Sequence, residues 1–194
     1  MFVFIMLLTL YYIDAYTNGI SNIFFHKSNI FNKREIQHQL QRIKKVACKD
    51  KKYCFVATIS NKNDIAGYPF GSVLGYCLDK QGIPILAIDE DACDVNHIHD
   101  NNSISLVIPS IETNERIVYT GNVREVEQDF YDPSEELLNY KALFLDAHPN
   151  AVWVDFPSVR FYILDNIKNI MYRNTFKENN VHLHKYNDIF SSQQ

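Results

Sequence analysis

The sequence contains a succession of short segments rich in β-branched and aromatic residues, with few residues between them. Parallel strands need a crossover of about a dozen residues or more, so segments this close together favour antiparallel pairing. The predicted strands are Tyr53–Ser60, Gly71–Leu78, Ile83–Ile88, Ser103–Ile108, Glu115–Val126, Val159–Leu164 and Ile167–Tyr172. This pattern predicts an α+β barrel with short flanking helices rather than an open parallel α/β sheet.

Three helical segments are predicted around these strands. One lies between Lys33 and Lys49, where apolar residues recur at helical spacing: Ile36, Leu40, Ile43 and Ala47. Asp91–Asp100 is polar and has a helical pattern. Asp132–Glu135 has the composition of a helix N-terminus, and Pro149 is expected to end that helix.

Composition and charge restrict the function. The chain has 194 residues, enough for one domain with a hydrophobic core. Its formal net charge is -4, and nucleic acid is therefore not an expected partner, because binding it requires clustered Lys and Arg. The four cysteines, Cys48, Cys54, Cys77 and Cys93, form no CxxC pair and have no His at zinc spacing, so no metal site is expected.

Residues 1–15 are interpreted as a signal sequence. Phe2–Ile13 is almost wholly apolar and shorter than the ~20 residues of a membrane span. Residues 16–32 are rich in Asn and Ser, and the basic, acid-poor composition up to Val46 is typical of a transit peptide. The alternatives are an uncleaved membrane anchor and, for the basic segment, a disordered spacer before the basic face of the first helix. The mature domain is predicted to span residues 33–190.

The first two predicted strands suggest a disulfide as a hypothesis. If they pair about the midpoint of the loop 61–68, Cys54 and Cys77 lie nearly opposite each other. A cross-strand bond would then be feasible in an oxidising compartment. The alternative is that both are small buried apolar residues.

Six short motifs follow one another between about Lys33 and Tyr186. They are Ala57-Thr58-Ile59-Ser60, Gly67-Tyr68-Pro69-Phe70-Gly71-Ser72, Gly82-Ile83-Pro84-Ile85-Leu86-Ala87, Ser105-Leu106-Val107, Gly121-Asn122-Val123 and His148-Pro149-Asn150-Ala151-Val152-Trp153-Val154-Asp155-Phe156. Their order and spacing resemble the pyridoxamine 5'-phosphate oxidase-like superfamily of FMN-binding split barrels, and within it the haem-utilisation and CREG-type branch. The last motif is most similar to the plastid members, which include the glutamyl-tRNA reductase-binding proteins, and the first two are also similar to secreted CREG-type glycoproteins.

The resemblance implies a homodimer of split barrels with two symmetric clefts at its interface, which in this superfamily hold FMN or haem. A dimer also agrees with the residues, because the barrel faces carry more apolar side chains than one small core can absorb. No stable membrane span is expected in the mature form. The leader and the resemblance together imply the secretory route, followed either by a plastid-like organelle of the apicoplast type or by secretion.

Four histidines are candidate haem ligands, because haem needs an axial ligand, usually His, and an apolar slot. The resemblance places His182 and His184 where haem-degrading relatives carry their C-terminal loop, and His97 and His99 near the expected cleft. The alternative is that all four are exposed polar residues on loops. His148 is expected to end its helix instead.

FMN is the less favoured cofactor. A buried phosphate needs cationic or hydroxyl donors, and flavin-using relatives place Arg or Lys on the second strand. That strand here reads Phe-Gly-Ser-Val-Leu-Gly-Tyr-Cys, without a basic residue. Ser72 and Asn96 remain as uncharged donors, which makes them the candidate flavin-binding residues.

Three functional hypotheses follow. The first is a tetrapyrrole-associated protein that binds or degrades haem; the second is an FMN-dependent oxidoreductase; the third is a CREG-like non-catalytic glycoprotein, for which Asn101-Asn102-Ser103 is a glycosylation sequon. Trp153, Asp155 and Phe156 are interpreted as packing at the barrel end or at the dimer interface. No nucleophile beside a base and no functional carboxylate pair is recognisable, so the residues alone give no case for catalysis.

Overall fold

The structure is a computed structural model, and it describes residues 38–48, 53–91, 98–110, 112–129, 131–174, 178–181 and 183–191. The chain divides into two compact units, Met1–Gln41 and Arg42–Gln194, and all of the described strands belong to the second. The predicted leader and its boundaries near residues 15 and 32 lie outside the described residues. So does most of the predicted helix Asp91–Asp100, of which the described ends form turns.

Six antiparallel strands close into a barrel, and a seventh extends the sheet. The strands are β1 (Tyr53–Ile59), β2 (Pro69–Leu78), β3 (Pro84–Asp89), β4 (Ser103–Pro109), β5 (Arg116–Glu125), β6 (Val159–Arg173) and β7 (Glu178–Asn180). Their order is β3-β2-β1-β4-β5-β6-β7, and an additional pairing between β3 and β6 closes the barrel. Closure removes the exposed sheet edges of an open sheet. The predicted α+β split barrel is confirmed.

Alternation along the strands defines the inner and outer faces of the barrel. In β1 the residues at 54, 56 and 58 are buried and those at 53, 55 and 57 are exposed, as the period of two requires. In β3, by contrast, all residues from Pro84 to Ile88 are buried. Helix α2 (Glu135–Ala147) contributes Leu137 and Phe144 to the same core cluster as Ile85 and Ala87, so β3 is covered on both of its faces.

The last two predicted strands are one continuous strand, which corrects the prediction of a break after Leu164. Asp165 and Asn166 are exposed and polar, so the sequence reads there like a loop. The backbone nevertheless stays in the sheet, because β5 pairs with β6 on both sides of this point through register shifts at Thr120/Gly121 and Asn122/Arg124. Such shifts accommodate an extra residue without ending the strand.

Three α-helices accompany the strands in the described part of the chain. Helix α1 spans residues 38–47, and its Ile43 and Ala47 are fully buried, as predicted. Helix α2 begins after Ser134, whose side chain accepts a hydrogen bond from the Leu137 amide at 3.2 Å, and a 3-10 helix, Val152–Asp155, follows it. Helix α3 spans Leu183–Ser191. Each helix in the described part of the chain is too short or too polar to cross a bilayer.

Buried tyrosines attach α3 to the barrel. The Tyr186 hydroxyl donates to the Gly82 carbonyl at 2.7 Å and lies 2.6 Å from the Tyr119 hydroxyl. Burial raises the pKa of Tyr119 and Tyr186, so both remain neutral hydrogen-bonding groups. Phe190 packs against Gly82, which has a φ of +81°. The C-terminal helix is therefore part of the core rather than an appendage.

The hypothesis of a disulfide between Cys54 and Cys77 is wrong. Cys54 pairs with Leu74 and Cys77 pairs with Ile85, so the two residues are three positions out of register. Hydrogen bonds from the Ser60 amide to the Tyr68 carbonyl and from the Gly67 amide to the Ser60 carbonyl pair residue 60 with residue 68. This register places Cys54 opposite Leu74 rather than Cys77. Burial raises the pKa of the Cys54 thiol to about 12, as expected for a structural cysteine.

Candidate functional site

Of the six predicted cofactor-binding residues, His99 and Ser72 have described side chains. Asn96, His97 and His182 lie outside the described residues, and of His184 only the backbone position in α3 is described. Ser72 pairs with Val56, whose side chain is buried, and so belongs to the inward row of β2. His99 lies instead in the turn before β4. The described structure therefore does not bring Ser72 and His99 into one site.

His99 borders a cleft of about 520 Å³, which we call the His99 cleft. Its walls come from the turn before β4, the end of β5 and the middle of β6. The lining residues are Ile98, His99, Asn102, Asn122, Val123, Arg124, Glu125, Tyr162, Asp165 and Asn166. Ile98, Val123 and Tyr162 are each only 3% exposed, so the accessible lining consists mainly of amide and charged side chains.

Two asparagines fix the turn that carries His99. The Asn102 side chain donates to the Val123 carbonyl at 3.1 Å, and the Asn122 side chain donates to the Asn102 side chain at 3.0 Å. The Val123 amide donates to the Asn102 carbonyl at 2.9 Å, and Ile98 is buried beneath the turn. These contacts attach the turn to β5, so the position of His99 is determined by the barrel wall.

The two ring nitrogens of His99 face two carboxylates at different distances. Nε2 lies 2.6 Å from Glu90 Oε1, which is a hydrogen bond, whereas Nδ1 lies 3.6 Å from Glu125 Oε2, beyond hydrogen-bonding distance. The His99 side chain is 45% exposed. The imidazole is therefore oriented from one side and accessible from the cleft.

Tyr162 and Arg160 hold the Glu90 carboxylate in turn. The Tyr162 hydroxyl donates to Glu90 Oε1 at 3.0 Å and lies 3.3 Å from His99 Nε2. Arg160 Nε is 3.8 Å from Glu90 Oε2 and 3.5 Å from Glu125 Oε1. Burial, reinforced by the neighbouring Glu125 and Glu90 carboxylates, raises the pKa of Tyr162, so its hydroxyl remains a donor.

Carboxylates outnumber cations around the His99 cleft. Arg124 forms a two-point ion pair with Glu136 and approaches Asp165. Arg160 lies between the carboxylates of Glu90 and Glu125. Among the described residues near the cleft, two guanidinium groups thus stand against four carboxylates. A ligand whose binding depends on burying a phosphate dianion is disfavoured in these surroundings.

The donor chemistry of the His99 cleft fits haem better than FMN. A half-exposed imidazole with a carboxylate behind it is a suitable ligand for the haem iron. Haem propionates can remain in solvent, where the acidic rim costs little. The FMN phosphate would need a cation that is not already paired.

A second cleft, of about 600 Å³, lies between α2 and the segment that leads into β6, and we call it the Phe156 cleft. Phe156 is 53% exposed there, and Lys141 forms an ion pair with Asp155. Trp153 makes an edge contact with Phe144, with 5.8 Å between ring centroids, which confirms its predicted packing role. Phe156, in contrast, has more than half of its side-chain surface exposed.

His148 has a structural role, as predicted. It caps α2 through a hydrogen bond from its amide to the Phe144 carbonyl at 2.8 Å. Its Nε2 lies 2.9 Å from the Tyr76 carbonyl, and its ring stacks on Phe144 at 4.5 Å between centroids. These contacts hold the imidazole against α2 and β2, which gives His148 a packing and capping role.

Comparison with known sequences gives one informative relative. No family model matches the sequence. The chain is 31% identical over 109 residues to the chloroplastic heme oxygenase HOZ of Arabidopsis thaliana. The matched part is 55% of this chain, and it spans about a third, 32%, of the plant protein.

Comparison with solved structures establishes the fold. A heme binding protein from Mycobacterium smegmatis aligns with a TM-score of 0.57 at 19% identity, covering 74% of this chain and 60% of that one. A pyridoxinephosphate oxidase family protein from Clostridium acetobutylicum, related to general stress protein 26, aligns with a TM-score of 0.55 at 14% identity, covering 76% and 96%. The chain has the fold of these proteins, which confirms the split-barrel fold that the resemblance implied.

The partners of His99 could not be found from the sequence. Glu90 follows β3, Tyr162 lies in β6, and Glu125 ends β5, so 63 and 72 positions separate Tyr162 from His99 and Glu90 respectively. The β3–β6 pairing that closes the barrel brings Glu90 to Tyr162, and the β5–β6 pairing places Glu125 opposite Tyr162. The available signal was a run of three acids, Asp89-Glu90-Asp91, directly after the predicted strand Ile83–Ile88.

Proposed function

We propose that this chain is a haem-binding protein of the split-barrel type and that His99 is an axial ligand of the haem iron. The observation that carries the proposal is the half-exposed His99 imidazole, held at a cleft by the Glu90 carboxylate at 2.6 Å. Metal-ligating histidines almost always donate their second ring N–H to a carboxylate, a carbonyl or water, which fixes the ring. The contact between His99 Nε2 and Glu90 has this arrangement.

The relatives support the same ligand class. HOZ is named a heme oxygenase, and the similar mycobacterial structure is named a heme binding protein. Bound haem would supply a redox-active iron, and the chain would supply the His99 imidazole that holds it, with Glu90 and the Tyr162 hydroxyl orienting the ring. Whether haem is only bound or also degraded is tested by adding a reductant to the loaded protein in air and following the haem absorbance.

A titration of the purified full chain tests the proposal. We expect a saturable Soret band when haem is added and no quenching of FMN fluorescence when FMN is added. A linear rise in absorbance with haem, as for haem in buffer, would contradict the proposal. Quenching of FMN, with yellow protein after gel filtration, would favour the alternative of a flavin-dependent oxidoreductase.

We further propose that two copies of the chain pair through the outer face of the barrel. Val73, Phe55, Val107 and Val118 lie opposite one another on four adjacent strands, and we call them the apolar row. Phe55 is 54% exposed and Val73 is 61% exposed. A continuous apolar surface across four strands is typical of an interface rather than of a solvated face, and a two-fold axis through it makes it self-complementary.

Replacing Phe55 by glutamate tests the dimer. We expect the wild-type chain to sediment as a dimer and Phe55→Glu as a monomer, because each copy would place a charge in the apolar centre of the interface. Tyr131→Glu is the matched control, since Tyr131 is 97% exposed and lies outside the apolar row. A monomeric wild type at all concentrations would refute the proposed pairing.

We infer a plastid location through the secretory route from the leader and from the chloroplastic relative. Fusing residues 1–32 to a fluorescent protein tests this location, and fluorescence in the cytosol would contradict it.

The CREG-like alternative, a secreted glycoprotein, requires a glycan on Asn101. Asn101 is exposed in the turn before β4, where its side chain accepts a hydrogen bond from the Ser103 amide at 3.0 Å. A mass shift removed by a glycosidase would favour that alternative.

A further inference from the structure

We infer that Glu90 and Glu125 have opposite effects on the iron affinity of His99, with Glu90 as a positioning residue and Glu125 as a competitor for the binding nitrogen. This inference rests on the proposed function and adds which ring nitrogen binds. It follows from the unequal distances of the two carboxylates from the imidazole, 2.6 Å at Nε2 and 3.6 Å at Nδ1.

Glu90 selects the tautomer of the ring. A carboxylate oxygen only accepts hydrogen bonds, so the 2.6 Å contact places a hydrogen on Nε2. In the neutral imidazole the other nitrogen then has no hydrogen and presents a lone pair. Nδ1 is therefore the nitrogen that would bind iron.

Glu90 is held firmly enough to impose this orientation. Its backbone amide donates to the Ser158 carbonyl at 3.1 Å, and Tyr162 donates to its carboxylate at 3.0 Å. Arg160 Nε lies 3.8 Å from the other carboxylate oxygen of Glu90. The Arg160 guanidinium also donates a hydrogen bond to the Pro157 carbonyl at 2.6 Å, which fixes its position. The carboxylate is thus fixed through the β3–β6 closure of the barrel.

Glu125 faces the nitrogen that the iron would need. Its Oε2 is 3.6 Å from Nδ1, and its other oxygen is 3.5 Å from Arg160. An acceptor at this position favours a hydrogen on Nδ1, which must be absent when iron binds. Glu125 is about a third exposed, with 37% of its side chain accessible, so its effect is expected to be small.

The two glutamates are tested by parallel substitutions in the full chain. Glu90→Gln should weaken haem binding by about 10- to 100-fold, the usual effect of removing the carboxylate behind a ligating histidine, and should raise the midpoint potential of the bound haem. Glu125→Gln should bind haem at least as tightly as the wild type, by up to about five-fold more. Glu127→Gln is the matched charge control, because Glu127 is exposed and only two positions from Glu125.

Nitrogen-15 NMR of histidine-labelled protein without haem provides an independent test. We expect the neutral His99 ring to carry its hydrogen on Nε2 in the wild type and in Glu125→Gln, and to lose that preference in Glu90→Gln. A hydrogen on Nδ1 in the wild type, or weaker haem binding by Glu125→Gln than by Glu90→Gln, would overturn the inference. Absence of haem binding with the Nε2 tautomer present would refute the proposed function but leave the orienting role of Glu90 supported.

Discussion

Replacing Tyr186 with alanine is expected to lower the free energy of unfolding by roughly 3–5 kcal/mol, the range for truncating a large buried aromatic side chain. Tyr186 is fully buried, and its hydroxyl contacts both the Gly82 carbonyl and the Tyr119 hydroxyl. Alanine would leave a cavity and remove a hydrogen bond from each partner. Denaturant unfolding followed by fluorescence measures the change.

Two further variants separate packing from hydrogen bonding. Tyr186→Phe keeps the ring and should cost about 1–3 kcal/mol, because Tyr119 and Gly82 lose a buried partner. Tyr131→Ala, at a side chain that is 97% exposed, should change stability by no more than about 0.5 kcal/mol. A loss below about 1 kcal/mol for Tyr186→Ala would mean that α3 is not part of the cooperative core.

Gly121→Ala is expected to destabilise the barrel by about 3 kcal/mol or to prevent folding, at or above the upper end of the usual cost of overpacking. A Cβ at this position would lie 2.3 Å from the Asn166 carbonyl oxygen and 3.0 Å from the Ile167 Cα. Both atoms belong to the backbone of β6, so neither can move aside as a flexible side chain would. Thermal unfolding by circular dichroism measures the effect.

Gly71→Ala is the matched control, since nothing lies within 4 Å of a Cβ placed there. Gly71 also lies in a strand, opposite Ala57, so the two substitutions share secondary structure and chemistry. The control should lie within about 0.5 kcal/mol of the wild type. Equal effects of the two substitutions would contradict the close approach of β5 and β6.

The barrel could be predicted because its signals are local. Alternation in β1 and β4, the dense apolar run of β3 and the cap at Ser134 are each visible within a few residues. Because few residues separate the strands, the connections favour antiparallel pairing between neighbouring strands. The six motifs added the specific split-barrel topology, which the β3–β6 pairing confirms.

The errors arose where pairing between distant strands outweighs local preference. Asp165 and Asn166 suggest a loop, but the bulged ladder with β5 keeps them in β6. The register of Cys54 depends on where Ser60 closes the hairpin, which loop length alone does not determine. The same limitation hid the site: His99 was a candidate, but the residues that orient it come from β3, β5 and β6.

Haem binding by this chain is proposed to depend on His99, oriented by the Glu90 carboxylate. The most direct measurement is the haem dissociation constant of the wild-type chain and of His99→Ala, with His38→Ala as a control at an exposed histidine. We expect His99→Ala to lose at least about 100-fold in affinity, more than an outer-shell partner contributes, while His38→Ala binds like the wild type. Equal affinity and an unchanged Soret band in all three proteins would contradict the claim.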